Sequence, residues 1–126
     1  AARIVYSSGI NLYVVGLNVT MKVKLEKENR EKLKKVDGER FSLIYTMMEK
    51  WFKHYEFSIP VMHDPLAIST LFIDVCKFEK ENIFVGLEGA ERAVTLIDKR
   101  GLVINYAKEV DVDAFFKYFL STVFKI

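Results

Sequence analysis

Cysteine is almost missing from this chain of 126 residues: Cys76 stands alone, which excludes an internal disulfide and any CxxC metal site and fits a reducing compartment. The cytoplasm is the expected location. Histidine is scarce as well, and His54 and His63 together with one cysteine fall short of the three or four N or S ligands that a compact zinc site needs. An excess of charge of one sign is lacking too. Nineteen basic residues against seventeen acidic ones, mixed along the chain, leave a net charge of +2 and no basic stripe for a phosphate backbone. No nucleic-acid partner is expected. Apolar runs stop after a few residues, far short of the ~20 that span a bilayer, and the start lacks the basic-then-apolar order of a signal peptide. A soluble protein without a membrane partner follows. No serine sits in a GxSxG elbow, which argues against a Ser-His-Asp hydrolase.

What is present is a hydrophobic content of 51%, enough for one domain that buries about two thirds of the surface its unfolded form exposes. The opening Ala1-Ala2-Arg3-Ile4-Val5-Tyr6 carries no initiator methionine and reads as the later part of a helix, so a piece of something longer is expected. Gly9 stands where the end of that helix needs positive φ. Ile10 to Leu17 is apolar at nearly every position, as in a strand buried on both faces of a parallel sheet with helices on either side. Asn18 follows that strand's C-terminal end, where open α/β sheets place their ligand crevice; a turn asparagine capping its own backbone is the competing reading. Glu26 to Val36 is a solvated helix with acid-before-base pairs four apart, Glu26 with Arg30, Glu28 with Lys32 and Glu31 with Lys35.

Gly38 to Glu56 has the clearest periodicity, with Phe41, Ile44, Tyr45, Met48, Trp51, Phe52 and Tyr55 recurring at steps of three and four. One long amphipathic helix is predicted. A minor stripe of Leu43 and Met47 makes it more apolar than one core face requires, which points to a neighbouring domain or subunit. Its aromatics read as core, while Trp51 and Tyr55 have an alternative as the walls of a pocket for a flat ring. Glu56 to Met62 connects it to the next helix. Three β-rich runs, Asn82 to Glu88, Ala93 to Asp98 and Leu102 to Ala107, suggest a meander with turns at Glu88-Gly89-Ala90-Glu91 and Lys99-Arg100-Gly101 whose glycines supply positive φ. Asp111 caps a last helix with Phe115, Phe116, Phe119, Leu120 and Phe124 on its apolar face. Cys76 reads as a small hydrophobe.

The stretch Ile59-Pro60-Val61-Met62-His63-Asp64-Pro65-Leu66-Ala67 alone sets two side chains capable of chemistry beside a helix start. Asp64 falls at an N-cap position and Pro65 at the first helical position, with the helix running to about Ile73. A carboxylate there, at the positive end of the helix dipole, is either a cap or an oxygen ligand for a hard cation. His63-Asp64 also matches the adjacent pair of the HD phosphohydrolases. Those need a histidine well upstream in an all-helical domain, whereas His54 is nine positions away and strands surround the motif.

The wording and order of the blocks resemble the C-terminal part of the inosine-uridine-preferring nucleoside hydrolases. The resemblance rests on Ala1 to Tyr6, on Leu12-Tyr13-Val14-Val15-Gly16-Leu17-Asn18-Val19-Thr20, on Val61 to Ala67, on Ala93-Val94-Thr95-Leu96-Ile97-Asp98 and on the closing aromatic helix. It covers essentially the whole chain. It implies an α/β fold, the C-terminal portion of an open, mainly parallel-sheet structure with a late antiparallel meander and flanking helices. It also implies hydrolysis of the N-glycosidic bond of a ribonucleoside to ribose and free base, with one Ca²⁺ in the complete site. His63 matches the general acid that protonates the departing base, and Asp64 matches a calcium ligand. A histidine before that aspartate leans towards the pyrimidine or broad-specificity group.

Two departures qualify this. The aspartate-rich loop that supplies most of the family's calcium ligands is absent, and Asn18-Val19-Thr20 is followed by Met21-Lys22 where the family carries Asp-Val-Thr-His or similar. Ca²⁺ takes about 6 to 8 oxygens and Asp64 supplies at most two, so this chain alone is expected to hold no metal and to be inactive. Association with a missing N-terminal part, or with further copies through the open edge of Ile10 to Leu17, is expected. The alternative is a degenerate, non-catalytic domain that serves in oligomerisation.

Overall fold

A computed structural model describes residues 1–55 and 59–126, which divide into two compact units. The part of the expected Glu56 to Met62 connection that covers 56–58 lies outside the described residues.

The first unit, Ala1–Gly16 with Cys76–Val110, is a four-stranded open sheet and one short helix. Helix α1 (Ala2–Tyr6) ends before Gly9, whose φ of 77° is the positive value expected of it. Strand β1 (Tyr13–Val14) runs parallel to β4 (Leu102–Val110), Tyr13 opposite Asn105 and Val14 opposite Tyr106. Strand β2 (Cys76–Val85) is antiparallel both to β4 and to β3 (Thr95–Ile97). The order is therefore β1-β4-β2-β3, with β2 and not β3 in the middle. The α/β class and open sheet stand, but the three late strands are not in meander order, and β1–β4 is the one parallel pairing described.

Length explains the order: β2 spans ten residues and can pair along both sides, whereas β3 spans three. The buried double-faced strand over Ile10 to Leu17 is not formed. Its ladder is confined to two residues at the sheet edge, and Tyr13 is 60% exposed. Of the two turn glycines, Gly89 has φ of 57° as expected, but Gly101 is required for a different reason. A Cβ there would lie 1.9 Å from the Ile83 carbonyl oxygen of β2.

Two cations hold this unit's surface. Arg3 donates from Nη1 to the Val85 carbonyl at 2.8 Å, and its guanidinium lies 4.1 Å from the centroid of Phe84. Arg100 lies 4.1 Å from the same ring and pairs with Asp98 at 2.8 Å and Glu91 at 3.1 Å.

The second unit, Leu17–Val75 with Asp111–Ile126, is helical. Its elements are α2 (Leu17–Thr20), α3 (Lys27–Lys34), α4 (Glu39–His54), α5 (His63–Ser69) and α6 (Val112–Phe119), the last continuing as a π-helical turn over Leu120–Phe124. Val19, Val23, Leu25, Leu33, Leu66, Val75, Phe115, Phe116, Leu120 and Phe124 are buried. Asp111 caps α6 as expected, its Oδ1 accepting from the Ala114 N–H at 2.9 Å. Of the expected α3 ion pairs, Glu28 with Lys32 is formed at 2.9 Å, while Arg30 lies over the Phe52 ring. The long amphipathic helix is present as α4, yet it contributes no fully buried residue. Leu43, Met47 and Trp51 are 60%, 62% and 41% exposed. Of its aromatics, Phe41, Tyr45 and Phe52 are half-buried, Phe41 against Phe124, while Trp51 and Tyr55 are exposed, so the core reading holds only for the first three. Exposed Leu43 and Met47 are the apolar excess anticipated from the minor stripe. Among the described residues no helix is long and apolar enough to cross a membrane.

Candidate functional site

The start of α5 is placed by a backbone ribbon that precedes it. The Leu25 N–H donates to the Pro60 carbonyl at 2.8 Å and the Met62 N–H to the Val23 carbonyl at 2.8 Å, closing an antiparallel bridge between Lys24 and Val61. Alternate residues of one ribbon strand, Val23 and Leu25, are buried, as are Val19 before it and Leu66 after the other strand. Burial of these four side chains fixes the register of the ribbon, since a one-residue slip would turn Val23 and Leu25 out to solvent. At one end of the ribbon stands α2, closed by a bond from the Val23 N–H to the Thr20 carbonyl at 2.9 Å. At the other end the chain turns from Met62 into His63. The ribbon thereby sets residues 43 positions apart in contact: His63 Nδ1 and Thr20 Oγ1 are hydrogen-bonded at 2.8 Å.

The first turn of α5 begins two residues earlier than the spacing predicts. Met62 is the N-cap, with no side-chain cap bond, and its carbonyl accepts from the Leu66 N–H at 3.1 Å. Asp64 is therefore not the cap, and Pro65 is third in the helix and not first. The physical reason is that the Met62 N–H is already satisfied by Val23. The N–H that Pro65 lacks is in any case one that the first turn leaves without an intrahelical partner. The helix also ends earlier than expected, at Ser69 and not near Ile73. Ser69, buried, bonds back to the Pro65 carbonyl at 2.7 Å. Asp64 is exposed in the first turn, where the positive end of the helix favours its carboxylate, and His63 is half-buried.

Asn18 lies on α2, exposed, in the same helical turn as Thr20. It follows β1 as expected, but in a helix and not at the mouth of a long strand. Trp51 and Tyr55 stack against each other at the end of α4, ring centroids 4.9 Å apart and tilted by 40°. His54 meets Tyr55 edge-on at 4.9 Å. The described contacts join His63 to Thr20 and Trp51 to Tyr55, and none of them joins the two pairs. Thr20 was not singled out by sequence reasoning. Its signal was membership of the Asn-Val-Thr block, which does not reveal that the hydroxyl is buried and aimed at a ring nitrogen. Cys76 behaves as the hydrophobe expected: burial pushes its thiol up from the usual range, away from nucleophilic use.

Among the described residues no three His, Cys, Asp or Glu side chains form a group able to hold a metal ion. Asp64 by itself does not fit a calcium site.

The site is thus a half-buried imidazole hydrogen-bonded through one nitrogen and followed by an exposed carboxylate at the head of a helix. Residues 1–117 match the sequence model of the inosine-uridine preferring nucleoside hydrolases, and the chain belongs to that family. It is 27% identical over 110 residues to the probable uridine nucleosidase 2 of Arabidopsis thaliana, covering 84% of this chain and 32% of that protein. It is 31% identical over 117 residues to the pyrimidine-specific ribonucleoside hydrolase RihA of Photobacterium profundum, covering 83% of this chain and 36% of that one. The solved purine-preferring ribonucleoside hydrolase from Gardnerella vaginalis shares its fold with a TM-score of 0.82 at 24% identity, covering 95% of this chain and 42% of that one. The chain thus spans about a third of the length of the curated relatives it matches.

Proposed function

We propose that this chain is the general-acid half of a ribonucleoside hydrolase, acting on the N-glycosidic bond to give ribose and a free base. The observation that carries the reading is the hydrogen bond of His63 Nδ1 to Thr20 at the head of α5, beside Asp64, in a chain of this family. A departing nucleobase is a poor leaving group, so a positioned imidazole that hands it a proton as the glycosidic bond breaks lowers the barrier by an amount worth about 10² to 10⁴ in rate. Asp64 is the carboxylate beside His63 that this chain would offer towards a calcium ion, and polypeptide outside the chain would supply the remaining oxygens. The names of both curated relatives support a pyrimidine nucleoside as substrate. The single cysteine supports a reducing compartment, the cytoplasm.

The test is to combine the chain with the portion of a relative that it does not span, add Ca²⁺, and follow release of uracil from uridine and of hypoxanthine from inosine. The expected result is base release from uridine that falls by about 10² to 10⁴ with His63→Ala. Undiminished release after His63→Ala removes the assignment.

A second reading is favoured by α4: a non-catalytic domain that associates with copies of itself through the exposed stripe of Leu43, Met47 and Trp51. A stable oligomer by sedimentation, broken by Met47→Lys, with no calorimetric response to Ca²⁺ or ribose, supports it. Monomeric behaviour at high concentration removes it.

A further inference from the structure

We propose that Thr20 is the positioning residue for His63, holding Nδ1 through its hydroxyl so that Nε2 is the nitrogen offered to a leaving base. This deepens the hydrolase reading and rests on it for the role of Nε2, though the hydrogen bond and its effect on the ring stand independently.

Three observations carry it. First, the Thr20 Oγ1 to His63 Nδ1 distance of 2.8 Å is that of a good hydrogen bond. Second, Thr20 is 3% exposed, so water cannot readily replace the hydroxyl, and an unpaired hydroxyl there would be unfavourable. Third, both partners are anchored by backbone: Thr20 by its carbonyl bond to Val23, and His63 by the neighbouring Met62 bond to the same residue. One residue of the ribbon therefore sets both ends of the contact.

A threonine suits this role in a way that a carboxylate or an amide does not. Its hydroxyl both donates and accepts, so it can accept from Nδ1–H of the charged ring and from the same Nδ1–H of the neutral ring that loss of the Nε2 proton leaves. By rotating one proton it can donate to Nδ1 of the other neutral tautomer. The ring orientation is thereby kept before and after Nε2 gives up its proton. A carboxylate would favour the charged ring, and a valine would release the ring altogether. The two nitrogens lie on different sides of the imidazole, so using Nδ1 against the buried α2 turn directs chemistry to Nε2.

The measurement is the ring ¹⁵N chemical shifts of His63 in the labelled chain, taken at a fixed alkaline pH where the imidazole is neutral. The expected result is an Nδ1 shift displaced by its hydrogen bond in the native chain and in Thr20→Ser, and an Nδ1 shift that returns to that of an unbonded ring nitrogen in Thr20→Val. If Thr20→Val does not fold, as judged by methyl dispersion in the proton spectrum, Thr20→Ala is measured in the same way. An Nδ1 shift unchanged without the hydroxyl, or one already that of an unbonded nitrogen in the native chain, overturns the proposal. In the complemented enzyme, Thr20→Val should lower kcat with KM retained, and Thr20→Ser should restore it. An Nδ1 shift displaced by the Thr20 hydrogen bond in a preparation that releases no base from any nucleoside defeats the hydrolase reading while leaving the Thr20 contact intact. Active enzyme with kcat indifferent to Thr20→Val overturns the positioning role alone.

Discussion

The chain's two histidines lie at opposite ends of consecutive helices. His63 opens α5, half-buried, with one nitrogen tied to a buried hydroxyl and with backbone bonds from the ribbon immediately before it. His54 closes α4, exposed, touching Tyr55 edge-on. Both rings sit beside a helix terminus, so the dipole does not by itself separate them. What separates them is support. Around His63 the side chains of Val19, Val23, Leu25 and Leu66 are buried, whereas α4 has no fully buried residue. The proposed proton donor must be held within hydrogen-bond reach of the atom it protonates, and among the described residues the buried side chains that give such restraint stand around His63 and not along α4.

The sharpest way to break the contrast is to alter each histidine in the complemented enzyme. His63→Ala is expected to reduce base release by about 10² to 10⁴, and His54→Ala to leave it within about twofold. Equal losses would mean that the support around His63 carries no chemical consequence.

Stability gives the next largest effect. Leu66, fully buried one turn into α5, should on replacement by alanine lower the free energy of unfolding by about 2 to 5 kcal/mol, because a cavity is left under the ribbon. Met47→Ala on α4, 62% exposed, should stay within about 0.5 kcal/mol. Urea unfolding followed by tryptophan fluorescence measures both, since Trp51 is the chain's one tryptophan.

How much of this was readable beforehand follows the range over which each feature is determined. The α4 helix, the Asp111 cap and Gly9 were legible because i, i+3 and i+4 spacing, a carboxylate three residues before its N–H, and a glycine after a helix are local signals. His63 and Asp64 were legible from their place before Pro65, and through family resemblance. The strand order was not, because pairing of β2 with both neighbours depends on relative strand lengths and a bulge between Lys77 and Phe78 that no short window contains. Ile10 to Leu17 misled for a related reason: an apolar run reports an available surface, not what covers it. Thr20 escaped because its partner lies 43 residues away, and the role of Gly101 because the Ile83 carbonyl is equally remote in sequence.

The smallest expected effect separates two carboxylates that sequence spacing made look alike. Asp111 and Asp64 each precede an apolar helix, and both were read as N-caps. In the structure Asp111 Oδ1 accepts from the Ala114 N–H at 2.9 Å, while Asp64 lies inside α5, whose N-cap is Met62. Removing a capping oxygen leaves a donor without its partner, so Asp111→Ala should lower stability by about 1 kcal/mol. Most of that loss should persist at high salt, because it is a hydrogen bond. Asp64→Ala removes a charge near the positive end of a seven-residue helix, an effect of about 0.3 to 1 kcal/mol at low salt that screening should largely erase. Thermal unfolding of both variants at low and high salt measures the difference. A salt-independent loss at Asp64 as large as that at Asp111 would return it to the status of a cap. A loss that vanishes with salt leaves its carboxylate uncommitted within this chain and free to serve as an oxygen ligand.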